Sequence, residues 1–190
     1  MKIIAVYSIK GGVGKTASSV NLAYMAAKGG AKTLLCDLDP QGAASFYFRV
    51  KPKIKGNSKQ LVQGKLDVDK LVKATDYPNL DLIPADFSYR NMDVLLSDTK
   101  KPTERLAKIL APLADEYDYL FLDCPPSISL VSENVFQAAD LLLLPLLPTT
   151  LSMRTHEQLL DFLKQNYKKR DRATHGAFFT MVDRRKTMHR

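Results

Sequence analysis

The sequence predicts an α/β fold, a mainly parallel twisted sheet with helices on both faces in three layers. Three observations predict it. Solidly apolar runs such as Thr33 to Asp37 and Tyr119 to Asp123 read as strands covered on both sides. Amphipathic stretches with helical spacing alternate with those runs, as repeated strand–helix–strand units require. Turns dense in glycine, proline and acid follow the C-terminal ends of the strands, where ligands bind in such sheets. A length of 190 residues suits one domain, residues 1–190, large enough to bury a real core.

The elements follow in order. Ile3 to Tyr7 is the first strand. Lys15 to about Lys28 is helical, with Val20, Ala23, Tyr24 and Ala27 on one face and Gly29-Gly30 to end it. Thr33 to Asp37 is the second strand, and Ala43 to Phe48 begins a helix. Residues 49–60, basic and carrying Pro52 and Gly56, read as an exposed loop. Gln60 to Ala74 holds one or two short helices, and Leu80 to Pro84 is a strand. Ser88 to Leu96 and Thr103 to Tyr117 are helical; Thr103 is the expected N-cap, and Leu106, Ile109, Leu110 and Leu113 form the apolar stripe. Tyr119 to Asp123 is a buried strand broken by Cys124-Pro125-Pro126-Ser127, and Ser132 to Ala138 is helical. Asp140 opens the next strand, which Pro145 and Pro148 end. Thr155 to Lys169 is a helix, and Gly176 to Thr180 is the last strand.

The chemistry concentrates in Lys10-Gly11-Gly12-Val13-Gly14-Lys15-Thr16, between the first strand and the first helix. Strand, glycine turn and helix start are the setting of a phosphate-binding loop. The glycines let the backbone approach phosphate, and the amides of the turn and of the new helix converge on one point. Lys15 supplies a full charge to the β- and γ-phosphates, and the Thr16 hydroxyl sits on magnesium. The usual first glycine of such a loop falls at residue 9, which is Ile, and a second lysine, Lys10, opens the turn. Asp123, at the end of an apolar strand, reads as the acid that orients magnesium. Asp37 ends its own strand and is expected in the metal shell. Asp39, in the following turn, is expected to position the attacking water.

Composition bounds the rest. The apolar and charged fractions are those of an ordinary globular protein. Two cysteines, Cys36 and Cys124, suit a reducing cytosol and form no metal set with the three histidines. No secretory signal is read, and the sequence opens directly on a strand, so no separate N-terminal DNA-binding domain is expected. The most apolar run, Leu141 to Leu147, contains Pro145 and falls far below the ~20 residues of a spanning helix. The net charge of +8 is uneven. Eight basic residues lie between Arg49 and Lys73, and nine between Lys164 and Arg190. Clustered positive charge fits a polyanion such as DNA, although a solvated basic surface is equally compatible.

The motif K-G-G-x-G-K-T resembles the deviant Walker motif of the ParA/MinD family of P-loop NTPases, and the likeness to the ParA branch runs nearly the whole chain. Ser19 to Ala23, Asp37 to Gly42, Leu80 to Ala85, Asp118 to Ser127 and Thr180 to Arg185 carry it. The resemblance implies an ATPase using ATP and Mg2+, with Gly11 to Ala17 around the phosphates. It implies that Lys10 reaches across a two-fold to the other subunit's nucleotide, giving an ATP-state homodimer. Asp39 and Asp123 match the two switch acids, and Met181 and Asp183 lie in a stretch matching a loop at the adenine. Arg184 or Arg185 falls where relatives use basic residues on DNA. A ParB-like activator, non-specific DNA and a nucleoid-associated cytoplasmic location are implied as well. Family members continue past the point matching Arg190 with a strand, a loop on the base and a C-terminal helix, so a domain without that part is expected.

A MinD-type membrane regulator would need an apolar face on a C-terminal amphipathic helix, which Arg184 to Arg190 lacks, so no stable membrane association is expected. An iron–sulfur reductase of the same loop class needs two well-placed cysteines, and Cys36 lies in the wrong strand. A GTPase would need an N-K-x-D base-reading motif, which is absent.

Overall fold

A computed structural model of the chain describes residues 1–168 and 173–186. Among these described residues seven strands form one sheet in the order β3-β4-β2-β5-β1-β6-β7. They are β1 (Lys2–Val6), β2 (Thr33–Asp37), β3 (Lys73–Ala74), β4 (Leu80–Ile83), β5 (Tyr119–Asp123), β6 (Leu141–Leu146) and β7 (Thr174–Phe179). All neighbours are parallel except β3 against β4. The helices are α1 (Lys15–Lys28), α2 (Ala43–Tyr47), α3 (Ser58–Val62), α4 (Met92–Ser97), α5 (Arg105–Leu110), α6 (Leu130–Ala138) and α7 (Thr150–Asn166).

Alternation along the central strands explains the layers. Leu34, Cys36, Leu120 and Leu122 point to one face, where α3 to α7 cover them through Leu61, Met92, Leu110, Phe136 and Leu159. Leu35 and Phe121 point to the other face, against Ala23 and Ala27 of α1 and Ala44 and Phe48 of α2. Burial on both sides is why these strands carry no polar alternation. The expected α/β architecture with helices on both faces is therefore present, and Cys36 and Cys124 are buried free thiols. None of the described helices is long and apolar enough to cross a membrane.

Four local expectations are corrected. The helix expected over 103–117 starts at Arg105, with Glu104 rather than Thr103 at its N-cap. It tightens into a 3-10 turn over Ala111–Asp115, because Pro112 has no N–H for an α-helical bond. β6 continues through Pro145 to Leu146. Its pairing with β1 ends at Leu143, so no donor is missed on that side, and on the other Pro145 lies opposite Phe178. Helix α7 starts at Thr150, earlier than Thr155, with the Thr149 hydroxyl accepting a bond from the Ser152 amide at 3.3 Å. It ends at Asn166, short of the expected Lys169, because Tyr167 is already extended; Lys169, Arg170, Arg172 and Arg190 of the C-terminal basic cluster lie outside the described residues. The two-residue β3 gave no sequence signal, being too short for a period.

Register then sets the site. Val6 of β1 and Asp37 of β2 both pair with Asp123 of β5, so three strand ends lie side by side. From this edge α1 leaves β1 and crosses to β2, on the far side of β5, whereas β6 lies on the other side of β1. The crevice where connections diverge is the usual ligand position in open parallel sheets.

Candidate functional site

The turn between β1 and α1 has a backbone that side chains would not tolerate. Gly12 and Gly14 take φ of 73° and 90°, in the left-handed region, and Gly14 is the N-cap of α1 without any side-chain cap. The first amides of a 14-residue helix are thus aimed at the turn with no side chain capping them. Val13 is fully buried, so only its backbone faces the crevice. Its carbonyl accepts a 2.8 Å bond from the Thr180 hydroxyl, which also donates to the Leu146 carbonyl at 3.3 Å. The turn is therefore anchored to the far end of β7.

Two cations flank this turn. Lys15 is 7% exposed, and its Nζ donates to the Lys10 carbonyl at 3.2 Å. Burial lowers its pKa, which Asp123 partly opposes. Lys10 is half-buried and its ammonium makes no ion pair among the described residues.

Three acids stand opposite. Asp123 is fully buried; its Oδ1 accepts a 3.1 Å bond from the Ser19 hydroxyl, and its Oδ2 has no partner. Burial pushes its carboxyl up to about 7; the Thr16 and Ser19 hydroxyls hold it down and Asp37 adds to the rise. Asp37 is also fully buried, with Oδ2 accepting from the Ser45 amide and hydroxyl at 2.8 Å each. Its Oδ1 accepts from the Asp39 amide at 3.3 Å, and burial raises its pKa despite these bonds. Asp39 lies in the turn, half-buried, its Oδ1 taking the Gln41 amide at 2.9 Å. An unpartnered buried carboxylate oxygen beside a threonine hydroxyl and a buried lysine is what a hard cation between protein and polyphosphate would satisfy. The residues present fit magnesium and a nucleotide triphosphate.

The sequence-derived site residues fall into three places. Lys10 to Ala17, Asp37, Asp39 and Asp123 converge on one edge. Met181, with φ of 53°, lies against Gly14, its Cε 3.9 Å from where a β-carbon there would sit. Asp183 holds Arg185 in a two-pronged pair, Nε to Oδ1 and Nη2 to Oδ2 at 2.9 Å each. Arg184 follows on the same turn. Ser19 and Ser45 are positioning residues that sequence reasoning did not assign; Ser19 lies in a stretch carrying the family resemblance, but a serine inside a helix pattern reads as a neutral filler.

The family model AAA_31, described as an AAA domain, matches residues 1–174. The Bacillus subtilis sporulation initiation inhibitor protein Soj is 36% identical over 97% of this chain and 74% of its own length. The chain belongs to the ParA/MinD family, on its ParA branch. The chromosome partitioning protein ParA of Myxococcus xanthus is 35% identical over 97% of this chain and 66% of its own. The chain thus spans roughly two thirds to three quarters of these relatives. Among solved structures, cobyrinic acid a,c-diamide synthase of Mycobacterium smegmatis with ADP and magnesium superposes with a TM-score of 0.89. It is 28% identical, covering 100% of this ParA-family chain and 78% of that one.

The buried acid makes a testable claim about the nucleotide-free chain. A carboxyl whose folded pKa is raised stabilises the fold below its ordinary pKa and loses that stabilisation as pH rises through the folded value. For Asp123 the window runs from about 4 to about 7. The ionised group then costs on the order of 4 kcal/mol at the upper bound. Asp123→Asn should raise the melting temperature at pH 8 and flatten its decline between pH 5 and 8. Asp37, shifted in the same direction, keeps part of the slope. Thermal melts across that range without magnesium check it; an unchanged slope contradicts the orphaned-carboxylate reading.

Proposed function

We propose that residues 1–190 form a ParA-like ATPase domain that binds ATP with Mg2+, pairs with a second copy and hydrolyses ATP when a partner protein stimulates it. The observation that carries this reading is the buried Asp123 Oδ2, without a partner among the described residues, on a carboxyl beside Thr16 and Lys15 of a glycine turn with a lysine at each end. The turn's amides and the α1 N-terminus take the phosphate oxygens. Lys15 leaves the Lys10 carbonyl for the β- and γ-phosphates, and Met181 and Asp183 border the base. Thr16 and Asp123 hold the magnesium, with Asp37 behind them. Bound magnesium supplies positive charge at the phosphate oxygens.

Asp39 orients the water that attacks the γ-phosphorus, as the bond to the β-phosphate oxygen breaks and ADP leaves. The Lys10 ammonium, half-buried and without an ion pair among the described residues, reaches the nucleotide of the second copy and stabilises charge developing on the transferred group. Conversion of dimer to monomer on hydrolysis is the switch. The charge of +8 supports non-specific DNA as the surface it is switched on and off, in a nucleoid-associated cytoplasmic setting with a ParB-like activator.

The direct test is Lys10→Ala. It should leave ATP affinity of the monomer within a few-fold and abolish both ATP-dependent dimerisation and turnover, read by light scattering and phosphate release. An ATP dimer that persists in the variant would contradict the cross-subunit role.

A further inference from the structure

Beside the glycine turn, on the same sheet edge, lies a ledge that the nucleotide chemistry leaves unused. Helix α2 has five residues. Its inner side is packed, with Ala44 and Ser45 at 0% exposure and Phe48 at 5%. Its outer side carries Phe46 and Tyr47, 81% and 61% exposed. Two adjacent aromatic rings held in water add nothing to the core and mark a binding surface. The chain then turns at Arg49, whose φ of 55° is strained for a side-chain residue. Arg49, Lys51, Lys53 and Lys55 are exposed at alternate positions, with Ile54 buried between the last two. None of the four cations makes an ion pair among the described residues. A cleft of about 630 Å³ joins the rings to the first two cations, walled by Gln41, Phe46, Tyr47, Arg49, Lys51 and Pro52; Lys53 and Lys55 follow outside it. Arg185, by contrast, has its guanidinium engaged by Asp183.

We propose that this ledge binds single-stranded nucleic acid, with phosphates on Arg49, Lys51, Lys53 and Lys55 and a base stacked on Phe46 or Tyr47. The cations require an anion, and the two open ring faces select unpaired bases, which a duplex keeps stacked inside and an acidic peptide lacks. The ledge is wired to the acids. Ser45, between the two inner residues of α2, gives its amide and hydroxyl to Asp37. The Gly42 amide bonds the Asp39 carbonyl at 2.9 Å, and Pro52 packs so tightly on Gly42 that an added β-carbon would come within 2.8 Å. The ledge thus adjoins Asp37 and Asp39 without using them, and binding at it does not rest on the proposed ATPase reading.

The test is fluorescence anisotropy with a labelled thymidine oligomer and a labelled hairpin duplex over a salt series, without nucleotide. The single strand should bind more tightly than the duplex. Phe46→Ala with Tyr47→Ala should weaken the single strand roughly tenfold and spare the duplex. Lys51→Gln with Lys53→Gln and Lys55→Gln should lower the logarithmic salt slope by about 2. Arg184→Ala with Arg185→Ala should leave the oligomer's affinity unchanged. Unaltered ATP binding by calorimetry shows that the ledge variants are folded. Wild-type affinity in the aromatic variant, or displacement of the oligomer by polyglutamate as readily as by unlabelled oligomer, overturns the ledge and leaves the ATPase reading intact.

Discussion

Lys15→Ala should remove detectable ATP binding, weakening it by at least about 100-fold. Its Nζ is held inside the turn by one carbonyl at 3.2 Å, and the side chain is 7% exposed. An ammonium stripped of water and given a single neutral acceptor is under-solvated, which is why its pKa is lowered by burial. A polyphosphate restores what burial removed, so the charge contributes more to binding than a surface lysine could. The same reasoning says that the fold does not depend on it. The alanine variant should melt no lower than the wild type without nucleotide, and Lys15→Met, which preserves the volume, should bind as poorly as alanine. Calorimetry and thermal melts read both. Retained affinity would mean that the backbone amides alone hold the phosphates.

Asp39→Ala is expected to separate binding from turnover. Asp39 is half-buried in the turn after β2, and among the described residues its side chain engages only the Gln41 amide, through Oδ1, which leaves its other oxygen to a water. Loss of a positioned base of this kind lowers turnover by roughly 100- to 10,000-fold. Among the described residues it makes no hydrogen bond to the phosphate turn or to Asp123 and acts on Lys15 and Asp123 through its charge alone, so ATP affinity should stay within a few-fold. A dimer formed in ATP then has no exit, and light scattering should find the variant dimeric for hours in magnesium and ATP. A monomer under those conditions would remove Asp39 from the catalytic step and pass the role to another group. Loss of binding instead would indicate that the Asx turn at Asp39 holds the shape of the site.

Much of this was legible in the sequence for a physical reason. Buried parallel strands must be apolar on both faces, so Thr33 to Asp37 and Tyr119 to Asp123 announce themselves, and the acid that ends each run stands out. A lysine-flanked glycine turn between a strand and a helix has few other uses, so Lys10 to Thr16 was equally plain. What escaped depends on three-dimensional neighbours. Pro145 reads as a strand end, yet β6 passes through it because β1 has already stopped. Thr103 reads as a cap, yet the chain enters the helix two residues later. Ser19 and Ser45 gain their roles from strands over 100 and 8 residues away that place Asp123 and Asp37 against them. The outward aromatics of α2 read simply as helix, and the burial of Ala44, Ser45 and Phe48 shows which side is the core.

The measurement closest to the centre is an isothermal titration of the purified chain with ATP, run with magnesium and again with EDTA. The account predicts one site per chain, with affinity that falls sharply when the metal is removed, because Asp123 and the phosphates need a cation between them. Absence of heat with saturating magnesium and ATP, or equal binding with and without metal, would contradict it.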